Sequence, residues 1–339
     1  MILREFLYVD VDKVRGLLAQ LDDGIVEEST EQTHHEKTTG GGFKGLAEHS
    51  QRWGTDATSQ KSMGDALFPT LEQSLESLGL LTDISDDAAN SDLWGEQMRD
   101  RYPPGTLIRI TAPAALFDAR YVTSILTGFA TTWQGLVDLG VMEKAAPPPL
   151  RKGQQGGQRS TKRPELIPIA DRELEDNVPP VTITYGGSVI EREYMQGIVR
   201  VSRGMFSTGL HLNMLPSGST DAIVTARLQE GQRFLDGDTE VLFARYGVSA
   251  QDWTMVGTIG HYGHEPLSDD DAPSLVNDDG SVNRAGFTGF INNFLHTVGG
   301  TGLADLPQEP GFSVVPLAVY RLVGDASKTL AVLDGAESP

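Results

Sequence analysis

The spacing of the apolar residues constrains the fold of this chain more than any other feature, because it changes character along the sequence. Apolar residues recur at three- and four-residue steps, as in helices with one buried face, in residues 11–21, 63–78, 122–137 and 287–298. Other segments are runs of β-branched and aromatic residues bounded by glycine or proline, which is typical of strands. The two patterns together predict a mixed α/β chain of the α+β class. With 39% hydrophobic residues among 339, the chain can bury at least one sizeable core.

The order of the patterns predicts two packed halves. The first half opens with a strand at residues 6–9, and Asp10 stands where the N-cap of the following helix belongs. Gly24 is predicted to end that helix, and residues 25–33 return to a strand pattern, so this half contains a strand–helix–strand (βαβ) unit. The second half is richer in strands, which are predicted at residues 181–185, 198–202, 222–228, 253–259 and 313–322.

A change of composition in the middle of the chain predicts a domain boundary. Residues 147–163, PPPLRKGQQGGQRSTKR, combine a proline run with glycine and glutamine, which is the composition of a solvated linker. We therefore predict an N-terminal α/β domain at residues 1–146 and a C-terminal α+β domain at residues 164–324. Residues 325–339 are predicted to form a tail.

Charge and cysteine content exclude several classes of function. The chain has 27 Lys and Arg against 47 Asp and Glu, a formal net charge of −20 that repels nucleic acids and anionic membranes. The absence of cysteine excludes disulfides, thiolate nucleophiles and cysteine-based zinc sites. The first residues lack the pattern of a secretory signal, and residues 121–142 are too polar for a membrane span. We expect a cytoplasmic protein that makes no contact with membranes.

The linker carries five basic residues and no acidic ones. They are Arg151, Lys152, Arg159, Lys162 and Arg163. Concentrated basic residues can neutralise phosphates, so contact with RNA or DNA is one interpretation. No aromatic residue is present to stack on a base, which favours a linker that is only solvated.

The glycine-rich segment TTGGGFKG, residues 38–45, raises the question of a phosphate-binding loop. Lys44 lies between Phe43 and Gly45, so it lacks the Gly-Lys-Ser/Thr order that such a loop requires. The favoured interpretation is a mobile surface loop. The alternative is a nucleotide ligand held by residues of this loop, namely Gly40, Gly41, Gly42 and Lys44.

A second candidate site is the sequence H-x-x-H-E formed by His261, His264 and Glu265. Imidazole and carboxylate groups bind divalent transition metals. Gly260 and Gly263 disfavour a helix in this segment, and on a strand the two rings would diverge. Ordinary histidines at the end of a loop are the favoured interpretation, a divalent-metal site is the alternative, and no cofactor is predicted.

The clearest helical pattern of the chain is an apolar set that we call the phenylalanine stripe. Its members are Phe287, Phe290, Ile291, Phe294, Leu295 and Val298. Six large apolar side chains on one helix face represent much surface to leave in water, so we predict that the stripe belongs to the core. The alternative is an exposed surface that binds a partner.

The start of the chain resembles a known family. REFLYVDVDKVRGLLAQLDDGIVEE, residues 4–28, is similar to the opening of a bacterial family described only as a domain of unknown function. Its members begin with an aromatic strand, an aspartate and a helix that ends in a stretch like SLLAQL, in which Gly16 of this chain replaces the serine. KSMGDALFPTLEQSL, DWTMVGTIG and VVPLAVYRL extend the similarity. The resemblance implies a soluble bacterial protein and carries over no catalytic residue.

No acid, base and nucleophile converge in the sequence, and G-x-S-x-G is absent. We therefore expect a sensor or partner-binding module without catalysis of its own, in a larger bacterial system concerned with stress or phage defence. Its expected partner is a protein, either another chain or a second copy. A hydrolase or nuclease that uses a divalent metal at His261 and His264 is one alternative. A nucleotide-ligand sensor that uses the loop around Gly40 is the other.

Overall fold

The computed structural model describes residues 3–32, 57–142, 174–185, 188–218, 222–263, 275–277, 279 and 281–324. Within these ranges the chain forms eight α-helices and nine β-strands, which confirms the predicted mixed α+β class. None of the described helices combines the length and the apolar composition that crossing a membrane requires.

The elements alternate between helix and strand along most of the chain. The helices are α1 (Val11–Gln32), α2 (Ala57–Ser77), α3 (Ser85–Ala89), α4 (Glu96–Arg101), α5 (Ala119–Asp138), α6 (Arg192–Met205), α7 (Thr239–Tyr246) and α8 (Arg284–Gly300). The strands are β1 (Leu3–Val9), β2 (Thr82–Asp83), β3 (Leu107–Phe117), β4 (Ile183–Tyr185), β5 (Ser188–Ile190), β6 (Leu210–Met214), β7 (Val224–Leu228), β8 (Gln251–Tyr262) and β9 (Phe312–Val323).

Seven strands form one sheet, and five of them close it into a ring. In the ring β3 pairs with β6, β6 with β7, β7 with β9, β9 with β8, and β8 again with β3. β1 extends the sheet from β9, and β2 extends it from β3. The β7–β9 and β2–β3 pairs are parallel, whereas the other pairs of this sheet are antiparallel. β4 and β5 form a separate two-stranded sheet.

Gly257 allows β8 and β9 to approach each other closely. The register of this strand pair shifts between Val256 and Gly257. A Cβ atom built at Gly257 would lie 2.5 Å from the carbonyl oxygen of Val315, which is shorter than any ordinary contact. A larger residue therefore fits only if the backbone of β9 moves.

We expect Gly257→Ala to destabilise the fold by about 2 kcal/mol or more, because the added methyl group displaces backbone. Gly16→Ala in α1 is the matched control, since a Cβ atom built there meets nothing within 4 Å. Alanine is more favourable than glycine inside a helix by about 0.5–1 kcal/mol, so this control should be neutral or stabilising. Urea unfolding followed by circular dichroism measures both. A Gly257→Ala variant as stable as its parent would refute the close approach.

The first compact unit combines residues before Asp118 with residues from Gly209 onward. Its core includes a cluster in which α1 and α2 pack on β1, β8 and β9. The buried members are Val9, Val14, Phe68, Leu71, Leu75, Val256, Leu317, Ala318 and Tyr320. The ring of Tyr320 lies 5.6 Å from that of Phe6 and 5.9 Å from that of Phe68, centroid to centroid. These aromatic contacts join the first strand, the second helix and the last strand of the unit.

The second compact unit, Asp118–Thr208, has a core of its own. The buried side chain of Asp118 caps α5 by accepting a hydrogen bond of 2.7 Å from the backbone N–H of Arg120. The core residues come from α5, α6, the 3₁₀ helix at Leu174–Asn177, β4 and the segment that joins this 3₁₀ helix to β4. They are Ala130, Trp133, Leu174, Val178, Val181, Ile183, Met195 and Val199.

This division differs from the sequential domains predicted at residues 1–146 and 164–324. The first unit draws on both ends of the chain, since β1 pairs with β9 and β3 pairs with β8. Apolar spacing identifies strands but carries no information about which distant strand each one joins. The predicted linker at residues 147–163 and the predicted tail at residues 325–339 lie outside the described residues.

Two of the predicted strands are wrong. α1 continues to Gln32, so Gly24 lies inside the helix and residues 25–32 are helical rather than extended. Glycine costs a helix only about 1 kcal/mol, which the rest of a long helix can offset. Residues 198–202 belong to α6, in which Met195 and Val199 are buried one turn apart. Packing of this face overrides the strand preference of the β-branched residues.

Candidate interaction surface

Helix α8 buries its glycines and leaves its large side chains exposed. Its N-cap is Asn283, whose side chain accepts a hydrogen bond of 2.9 Å from the backbone N–H of Gly286. Gly286 and Gly299 are buried, and Gly289 and Gly300 are half-buried. A Cβ atom at Gly299 would lie 2.8 Å from the Cδ1 atom of Leu306, so glycine brings the helix backbone close to its neighbour.

The phenylalanine stripe lies on the opposite side of α8 and faces outward. The exposed fractions are 50% for Phe287, 42% for Phe290, 37% for Ile291, 58% for Phe294 and 47% for Leu295, whereas Val298 is half-buried. The prediction that this stripe belongs to the core is therefore wrong. Spacing identifies an apolar face without telling which surface covers it. The signal that could have corrected the prediction is the set of glycines on the other face of the same helix.

The size of this surface matches that of known interaction sites. Phe and similar side chains each bury about 150–250 Å², so the exposed halves of these five residues amount to on the order of 450 Å². A contiguous apolar patch of about 300–600 Å² on a soluble protein is often functional. Leu303 and Leu306, which follow the helix, are also exposed and add to the apolar area.

The surface is uncharged, in contrast to the chain as a whole. No Asp, Glu, Lys or Arg occurs in residues 285–304, although the chain has a net charge of −20. Arg284 stands at the N-terminal end of α8, and Asp305 follows its C-terminal end. The stripe offers no charged side chain to pair with an acidic or a basic partner, so it favours apolar contacts.

A cavity of about 170 Å³ lies beside the stripe. Its lining consists of His261, Asn292, Leu295, Gly299, Gly300, Leu306 and Pro307. An apolar cavity of about 150 Å³ is large enough to bind benzene, so this one has room for one aromatic ring. Leu295 belongs both to the stripe and to the cavity, which makes the two features continuous.

The structure describes one residue of the predicted metal site. His261 is exposed near the end of β8, where its backbone N–H donates a hydrogen bond of 3.1 Å to the Oγ atom of Ser313. His264 and Glu265 lie outside the described residues. Among the residues that are described, no group of three or more His, Asp and Glu side chains could hold a metal ion. The metal site therefore stays a prediction.

The two other predicted binding sites fall outside the described part of the chain. One is the glycine-rich loop with Gly40, Gly41, Gly42 and Lys44. The other is the basic cluster of Arg151, Lys152, Arg159, Lys162 and Arg163. Both stay predictions.

A buried carboxylate, that of Glu72 on α2, is the centre of a polar cluster that the sequence did not reveal. It accepts hydrogen bonds from the Oη atom of Tyr320 at 2.6 Å, from Nη2 of Arg4 at 2.7 Å and from Nη2 of Arg109 at 2.7 Å. The side chain of Glu72 is 1% exposed. Burial, and next the negative charge of Glu72, raise the pKa of Tyr320 well above its usual range. Both carboxylate oxygens accept hydrogen bonds from these side chains, so the cluster ties α2 to β1, β3 and β9.

His211 is also satisfied by its surroundings. The buried ring lies 3.0 Å from the carbonyl oxygen of Gly209 through Nδ1 and 3.2 Å from Oδ2 of Asp305 through Nε2. A histidine held by two partners in this way fixes β6 to the segment after α8. Its hydrogen bonds give His211 a structural role.

Comparison with known proteins identifies one similarity. A family model described as a domain of unknown function (DUF6414) matches residues 3–320. No curated protein and no solved structure matches the chain.

Proposed function

The chain belongs to this family of unknown function, and on that premise we propose that it is a partner-binding module that docks through the phenylalanine stripe without catalysis of its own. The observation that carries the proposal is the orientation of α8. Its glycines are buried or half-buried, whereas five large apolar side chains are left in water. A soluble chain gains free energy when a partner covers such a surface.

We place the module in the cytoplasm of a bacterium, as a sensor or docking component of a larger system such as stress response or phage defence. The expected partner contributes apolar side chains, because the stripe offers no charge to an ionic partner.

Site-specific photo-crosslinking in host cells tests the proposal. The photo-reactive residue p-benzoylphenylalanine replaces Phe294 in the stripe or, as the matched control, Tyr194 on α6. Both positions are exposed aromatic residues, 58% and 65% exposed respectively. We expect at least about tenfold more of one discrete protein adduct from position 294, because a docked partner holds the ring in lasting contact. Equal yields at the two positions would indicate chance collisions and would reject the docking function.

A further inference from the structure

The charge of the chain limits the surfaces through which two copies can meet. Two copies of a chain with a net charge of −20 repel each other over most approaches. Residues 285–304 carry no Asp, Glu, Lys or Arg, so two copies that meet stripe to stripe bring no acidic residues of this segment into opposition. We propose that the partner is a second copy of this chain, paired through antiparallel α8 helices. This inference rests on the proposed function of the stripe.

The ends of α8 favour the antiparallel direction. Arg284 lies at the N-terminal, positive end of its own helix dipole, where a cation is unfavourable. In an antiparallel pair it lies beside the C-terminal, negative end of the other helix. A parallel pair would instead bring the two Arg284 side chains together. The antiparallel pair therefore places each Arg284 beside the negative end of the other helix dipole.

The same arrangement matches the apolar residues of the two copies. α8 runs from Arg284 to Gly300, so its midpoint is Asn292. With the midpoints opposed, Phe290 of each copy meets Phe294 of the other. Phe287 then faces Thr297, in the C-terminal part of the other helix.

The area available predicts a weak, concentration-dependent dimer. The stripe together with Leu303 and Leu306 offers roughly 600 Å² per copy, or about 1,200 Å² for the pair. This total lies at the lower end of the range for specific interfaces. We expect a dissociation constant on the order of 1–100 µM, so the fraction of dimer depends on the protein concentration within this range.

Sedimentation velocity of the full chain tests the inference. Between about 1 and about 300 µM, a range that brackets micromolar affinity, the mean mass should rise from 36.6 kDa toward twice that value. Phe290→Asp and Phe294→Asp should each weaken association by at least about 100-fold, because each buries a carboxylate against an aromatic ring. Tyr194→Asp, an exposed position on α6, should leave association unchanged. All three variants are expected to melt close to the parent, since the replaced side chains are exposed.

Mixing of variants tests the antiparallel register and separates the possible failures. Phe290→Asp mixed with Phe294→Arg should associate within about tenfold of the parent, because position 290 faces position 294 of the second copy. Rescue by Phe290→Asp with Phe290→Arg instead would show parallel helices. If an aspartate variant fails to fold, Phe294→Ser provides the same test without a buried charge.

Two results would overturn the inference. The first is a chain that stays at 36.6 kDa up to about 300 µM while position 294 still crosslinks to a different protein, which would leave the proposed function standing. A monomeric chain that binds uncharged phosphatidylcholine vesicles through the same residues would overturn both this inference and the proposed docking to a protein. The second is a dimer that survives both aspartate variants, which would place the interface elsewhere.

Discussion

Replacement of Glu72 by alanine is expected to lower the free energy of unfolding by about 2–4 kcal/mol, because it leaves the buried hydroxyl of Tyr320 without its acceptor and removes the carboxylate that Arg4 and Arg109 share. The carboxylate accepts hydrogen bonds from Tyr320, Arg4 and Arg109, and its side chain is almost completely buried. Arg109 keeps Glu76 as a partner, so the cost comes mainly from Tyr320 and Arg4. Urea unfolding at neutral pH, followed by circular dichroism, measures the change.

Glu76→Ala is the matched control for this substitution. Glu76 lies one turn further along α2 and also contacts Arg109, but its side chain is 46% exposed. Exposed ion pairs contribute about 0–1 kcal/mol, so this variant should unfold almost like the parent. If Glu72→Ala were equally mild, the cluster would not hold α2 on the sheet, and the packing of the first unit would need another explanation.

The element types in this fold could be read from the sequence where one pattern dominates. The regularly spaced apolar residues Met63, Leu67, Leu71 and Leu75 lie on α2. The predicted strands at residues 253–259 and 313–322 lie within β8 and β9. In these segments local spacing and burial agree. The same agreement explains why the core motifs were sufficient to indicate the family.

Features that depend on contacts between distant residues could not be read in this way. The β1–β9 pair joins opposite ends of the chain, and Glu72 finds Arg4 and Tyr320 only after the sheet has formed. No local pattern encodes these partners. The phenylalanine stripe shows a different limit. Its spacing predicts an apolar face correctly, but the glycines on the other face decide which side packs inward.

The second large effect concerns the exposure of the stripe, on which the docking function depends. The chain contains no cysteine, so a single introduced cysteine is its only thiol. Phe294→Cys places this thiol in the stripe, whereas Ala318→Cys places it in the core, at a position that is 0% exposed. Core positions open only through unfolding, which for a stability of about 5 kcal/mol slows a thiol reaction by more than about 1,000-fold.

The rate of reaction with iodoacetamide, relative to the same variant unfolded in urea, therefore measures how exposed the stripe is in the folded chain. At about 0.1 µM protein, where a micromolar dimer is mostly dissociated, Phe294→Cys should react within about tenfold of its unfolded rate. Ala318→Cys should react at least about 1,000-fold more slowly than its own unfolded chain. Equal protection of the two thiols would contradict the account, because the phenylalanine stripe would then be part of the core and unable to bind a partner.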